Sequence, residues 1–179
     1  MDDLTLLERA GGKDLKAQEE FYKRYYAYGM SICLRYSRSR EEAQEVLNDA
    51  FFKIFTKAQM YSYHQSVQAW LRRIFINSAI DYYRRQKKHY HHLNVEDIKE
   101  EGADPQAIDL LSVKEIYALV QTLPDIFRLT FNLYQVEGYS HEEISQMLDI
   151  PVGTSRSNLS RAKRKLRQMI QARDETPIR

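Results

Sequence analysis

From Arg156 to Arg173 the chain carries seven basic residues and no acidic one. Arginine and lysine at that density neutralise phosphate charge along a nucleic-acid backbone, which gives affinity without reading sequence. Reading requires short polar groups or forked donors at base edges. Thr154, Ser157, Asn158, Arg161, Arg164 and Gln168 fall on the outward side of this stretch. Asparagine pairs bidentately with adenine and arginine with guanine, so Asn158 and Arg161 are the expected base readers. The candidate duplex-contacting set is Thr154, Ser155, Arg156, Ser157, Asn158, Arg161, Arg164 and Lys165.

A second block mixes charge with rings. Between Ala69 and Lys88, Arg72, Arg73, Arg84, Arg85, Lys87 and Lys88 alternate with Trp70, Phe75, Tyr82 and Tyr83. Cations that track a backbone, with rings that stack on unpaired bases, suit single-stranded nucleic acid. The polar, aromatic stretch Tyr61 to Ser66 precedes it and is a place for a flipped base. The candidates here are Tyr63, His64, Gln65, Arg72, Arg73, Asn77, Arg84 and Arg85. A third feature is Phe52, an apolar ring among Glu41, Glu45, Asn48, Asp49, Lys53 and Lys57, which points to a protein partner.

Catalytic chemistry is not legible. The chain has no P-loop, G-x-S-x-G or H-E-x-x-H motif and no paired metal ligands, so neither an enzymatic role nor a cofactor is expected. His89, His91 and His92 sit in a basic, aperiodic segment and read as solvated linker. The single cysteine, Cys33, allows no internal disulfide. The N-terminus lacks a signal-peptide pattern and no apolar run approaches membrane-spanning length, so a cytoplasmic protein with no membrane insertion is expected.

Helices must position these residues. The 179 residues include only six Gly and four Pro, and 29% are charged. Few breakers and many charged helix formers favour an all-α chain. Ser39…Glu42, Ser112…Glu115 and Ser140…Glu143 have the spacing of capping boxes. Apolar residues recur at helical spacing over about 15–36, 40–58 and 67–86, with Trp70, Leu71 and Ile74 expected in the core. Ser140–Leu148, a turn at Asp149-Ile150-Pro151 and a basic helix from Gly153 form a helix-turn-helix, with Ser155, Leu159, Ala162 and Leu166 inward. Charge divides the chain: residues 61–92 have a net charge of +5, 93–125 of −6 and 126–179 of +3. Two small helical domains, 1–92 and 113–179, joined by an acidic flexible linker at 93–112, are therefore expected.

The residues now assembled resemble the extracytoplasmic-function (ECF) group of bacterial sigma factors. Glu42 to Phe51 resembles the family's polymerase-gripping helix, which implies Asn48, Asp49, Phe52 and Lys53 as polymerase contacts. Ala69-Trp70-Leu71-Arg72-Arg73-Ile74, Asn77 and Asp81-Tyr82-Tyr83-Arg84-Arg85 resemble the helix that melts and reads the −10 element. Leu123-Pro124, Glu137 to Ile144 and Ile150 to Thr154 resemble the −35-reading domain. The resemblance implies core RNA polymerase, promoter DNA and an anti-sigma factor as partners, with no small-molecule substrate. The sequence departs from the family pattern at Ser145 (usually Ala), Asp149 (Gly), Ser155 (Val) and Asn158 (Arg), and the two serines are expected to soften packing between the helix-turn-helix helices. Two other readings fit parts of the chain: a helix-turn-helix regulator acting without polymerase, and a sigma-like interaction adaptor.

Overall fold

A computed structural model describes residues 1–62, 64–90 and 113–174. Tyr63, the acidic linker at 93–112, His91, His92 and Ser112 lie outside the described residues. Every regular element among the described residues is helical, and the chain divides into two compact units, Met1–His89 and Tyr90–Arg179.

The first unit opens with a helix not anticipated from sequence, α1 (Asp3–Gly11). Asp2 caps it by accepting the Thr5 N–H, and Leu6, Leu7 and Ala10 are buried. Asp14 caps α2 (Leu15–Tyr36) by accepting the N–H groups of Lys16 and Ala17. Ser39 caps α3 (Arg40–Lys57) through the Glu42 N–H, while the Glu42 carboxylate accepts from Arg38. The α3 stripe Ala43, Val46, Leu47, Ala50, Phe51 and Ile54 is buried as its spacing predicts, with Phe55 half-buried. After a single 3-10 turn, Ala58–Met60, α4 (Val67–Tyr90) completes the unit, running four residues beyond the expected end. Trp70, Leu71, Phe75, Ile76, Ala79 and Ile80 are buried, whereas Ile74, expected in the core, is half-buried. The Phe75 ring is the hub: Tyr28 meets it edge-on at 6.3 Å and Phe51 at 5.6 Å. Gly29 admits it, because a side chain there would overlap the ring.

The second unit contains α5 (Val113–Gln121), α6 (Asp125–Phe131) with a π turn at Asn132–Val136, α7 (His141–Leu148) and α8 (Val152–Asp174). Leu119, Val120 and Leu123 pack with Ala162, Leu166 and Ile170, flanked by Ile116, Phe127, Phe131 and Met169. Burying one such aliphatic side chain stabilises by roughly 1.5–3 kcal/mol, so this cluster fastens the rear of α8. Arg128, only 3% exposed, donates to the Gln121 and Leu123 carbonyls and pairs with Asp125 at 2.9 Å. It thereby satisfies the last carbonyl of α5, that of Gln121, and the Leu123 carbonyl just beyond the helix end.

Candidate nucleic-acid interface

The helix-turn-helix is built by local polar bonds. Ser140 and Glu143 form a complete capping box at the start of α7. The Ser140 backbone N–H, and then its hydroxyl, hold the Glu143 carboxyl below its ordinary range. Asp149 ends α7 in the left-handed conformation, φ 53° and ψ 55°, a role usually taken by glycine or asparagine. The Ser145 hydroxyl donates to the Ile150 carbonyl at 2.6 Å, and the Ile150 N–H returns to the Ser145 carbonyl at 3.1 Å. His141 Nδ1 lies 2.9 Å from Ser155 Oγ. The expectation that Ser145 and Ser155 soften this junction is therefore corrected: the Ser145 hydroxyl is bonded within the turn and that of Ser155 across to α7.

Two members of the duplex-contacting set are corrected as well. Ser155 is fully buried and Asn158 is 4% exposed, so neither faces a DNA groove. Ser155 lies on the inward three-four stripe of α8, and the buried arc is wide enough to take in Asn158 beside it. Asn158 Nδ2 has no hydrogen-bond partner among the described residues. What α8 presents is Thr154, Arg156, Ser157, Ser160 and Arg161 in its first turns, with Arg164 and Lys165 half-exposed beyond them. Ser160, outside the expected set, is also exposed on this side. Arg156 meets Glu142 at 3.3 Å; with both side chains more than 60% exposed, this pair is worth at most about 1 kcal/mol and yields readily to a phosphate.

On the first unit, α3 and α4 are laced together by the residues assigned to partners. Lys53 Nζ lies 2.8 Å from Asp81 and 3.2 Å from the Ser78 hydroxyl. Arg85 reaches Asp49 at 2.7 Å, and the Tyr82 hydroxyl donates to Glu45 at 3.3 Å. Lys53, which the resemblance implies as a polymerase contact, has its ammonium turned to α4. Phe52 itself is 70% exposed, and Asn48 is exposed and accepts a bond from Gln44.

Of the single-strand set, His64, Arg73, Asn77 and Arg85 are exposed, and Gln65, Arg72 and Arg84 are half-buried. The loop before α4 is pinned from within. The Tyr61 hydroxyl donates to the Gln65 carbonyl, and its ring meets Trp70 edge-on at 5.7 Å. Ser66 caps α4 through the Ala69 N–H. His64 is exposed at this turn.

Comparison with known proteins fits this geometry. The family model "Sigma-70 region 2" matches residues 21–89, and "Sigma-70, region 4" matches 114–166. The ECF RNA polymerase sigma-E factor of Haemophilus influenzae is 28% identical over 186 residues, 96% of either chain. That of Escherichia coli K12 is 27% identical over 183 residues, 96% of this chain and 95% of its own. The sigma factor RpoE, solved in complex with the anti-sigma factor NepR from Bartonella quintana, aligns at 18% identity with a TM-score of 0.50, covering 86% of this chain and 96% of that one. At that identity the structural likeness concerns the fold. No helix among the described residues is long and apolar enough to cross a membrane. With both conserved regions matched in order and full-length sigma-factor relatives, the chain belongs to the ECF group of the sigma-70 family and is a sigma factor directing transcription initiation.

Proposed function

We propose that this sigma factor divides its work between the two units, with α3 docking on core RNA polymerase, the 61–66 loop and α4 taking the melted strand, and α8 entering upstream duplex. The observation that carries this reading is the outer surface of α8, where Thr154, Ser157 and Arg161 stand exposed and no acidic residue occurs from Arg156 to Arg173. Arg161 supplies a bidentate guanine contact, while Arg156, Arg164 and Lys165 meet phosphates. On the first unit Phe52 is the anchor for polymerase, with Asn48 and Asp49 beside it. Large exposed rings of this kind carry much of the energy at protein interfaces. His64, Arg73 and Asn77 contact the displaced strand, and its unstacking cost of a few kcal/mol per base is offset by stacking and phosphate contacts. The protein acts in the cytoplasm and performs no catalytic step itself. By extension from the solved sigma–anti-sigma complex, an anti-sigma factor holds it in reserve.

Paired variants test the division. Arg161→Ala weakens upstream duplex binding by the holoenzyme roughly 5- to 150-fold, the worth of one bidentate base contact, and leaves polymerase binding intact. Phe52→Ala weakens polymerase binding, while holoenzyme assembled with a saturating amount of the variant binds upstream duplex as wild type does. Equal loss of both activities in either variant contradicts the division. Failure of the wild-type chain to bind core polymerase while still binding promoter duplex favours the stand-alone regulator instead.

A further inference from the structure

His141 links three elements of the second unit. It is the first residue of α7, its ring stacks on Tyr134 of the π turn at 4.6 Å with 23° between planes, and its Nδ1 bonds Ser155 of α8 at 2.9 Å. Tyr134 is 36% exposed and Ser155 is fully buried, so the imidazole bridges the rim of the unit to its interior. Ser155 is the fourth residue of α8 and is bracketed by Thr154, Arg156 and Ser157, which are all exposed. Ser145 fixes the turn through Ile150, but that bond ends before α8 begins. Among the polar bonds described here, the His141–Ser155 bond ties α7 to the buried side of the first turn of α8.

We propose that His141 is a positioning residue for promoter reading: without touching DNA, it sets through Ser155 where Thr154, Ser157 and Arg161 meet the base edges. This rests on the assignment of α8 to upstream duplex made above. The physical ground is the narrow tolerance of hydrogen bonds. A bidentate contact needs donors and acceptors within about 2.7–3.2 Å, and small shifts of the helix end degrade it, while phosphate contacts by long flexible cations survive. Loss of the clamp therefore reduces discrimination between sequences more than it reduces total affinity. The π turn that presents Tyr134 is an uncommon element that recurs at functional positions, and here it supplies the second jaw.

The test uses the full chain assembled with core RNA polymerase and a duplex library randomised across the upstream promoter element. The readout is the enrichment ratio of selected over random sequences, with affinity for a mixed-sequence duplex measured alongside. His141→Asn keeps a hydrogen-bonding atom where Nδ1 stands, whereas His141→Gln moves it outward. His141→Gln and Ser155→Ala lower the enrichment ratio roughly three- to tenfold, the worth of one hydrogen bond, while His141→Asn stays within about twofold of wild type and mixed-sequence affinity is unchanged throughout. Wild-type ratios in all three variants overturn the proposal, as does an Asn variant that falls as far as the Gln variant. Should these variants unfold, Tyr134→Leu removes only the stacked ring at a partly exposed position. A loss of selectivity of about twofold, that of the stack alone, is then expected, and an unchanged ratio overturns the proposal. A wild-type holoenzyme that enriches no upstream sequence defeats the assignment of α8 itself, an outcome distinct from variants that select as the wild type does.

Discussion

Replacing Gly29 with alanine sets helix propensity against packing, and the structure says which wins. Gly29 lies within α2, where propensity alone favours alanine by about 0.8–1 kcal/mol. A Cβ at that point, however, would come within 2.6 Å of Leu47 Cδ1, 2.6 Å of Phe75 Cζ and 2.8 Å of Phe75 Cε1. Leu47 and Phe75 are both fully buried, and Phe75 is wedged between the rings of Tyr28 and Phe51. Neither can swing clear, and overpacking of this kind costs typically 1–3 kcal/mol. The net expectation is a destabilisation of up to about 2 kcal/mol. For a unit of this size that is a fall in melting temperature of several degrees, at roughly 4–8 °C per kcal/mol. Urea titration followed by far-UV circular dichroism measures it, with Gly29→Ala, Phe75→Leu and the double variant compared. Trimming the ring makes room for the new methyl, so Phe75→Leu is less damaging in the alanine background than in the wild type. A Gly29→Ala protein more stable than wild type, or additive single and double variants, would refute the steric reasoning.

Three further outcomes follow from the same geometry. Asp149→Gly relieves an L-residue in the left-handed conformation, so the second unit gains up to about 1 kcal/mol in a denaturation experiment without loss of the turn. Acid weakens the first unit. The Tyr25 hydroxyl and Arg24 depress the Asp3 pKa, and Arg9 with the Ala17 N–H depresses that of Asp14. A carboxyl with a lowered folded-state pKa contributes stability above its unfolded value near 4 and loses it as pH falls through the folded value, so melting temperatures fall below about pH 4 because of these groups. Burial pushes the Cys33 thiol up to about 12, so it stays unmodified by a thiol-specific disulfide reagent at pH 8 until the unit is unfolded in denaturant.

The fold was legible wherever a period or a cap was strong. The α3 stripe, the Ser140 capping box and the Pro151 turn each carry a local signal that tertiary packing did not override. The first helix was not read, although Asp2 and the pattern Leu6, Leu7, Ala10 announce it, because nine residues ending at Gly11-Gly12 resemble a leader to the longer helix. The sites were less legible, for a physical reason. Sequence spacing assigns a residue to a face, but the width of the buried arc depends on what packs against it. Asn158 sits at the edge of the α8 stripe, and packing drew it inside. Lys53 lies beside Phe52 on the polar side of α3, yet a long flexible side chain follows its nearest carboxylate, and Asp81 of α4 was not foreseeable from α3 alone. Ser155 was counted on both faces, and His141, the group that satisfies it, lies fourteen residues away.

The lacing of α3 to α4 also bears on how binding responds to salt. Sequence counting gives six cations across residues 61–92. Arg85 already holds the Asp49 carboxylate at 2.7 Å, so it arrives at a nucleic-acid strand with a counterion that is part of the protein. Exchanging a tethered carboxylate for a phosphate does not draw on the release of condensed small ions, which contributes a log–log slope of about 0.7 per phosphate on single strands. On the division of work proposed above, binding of a melted strand therefore depends on salt less steeply than the count of cations implies.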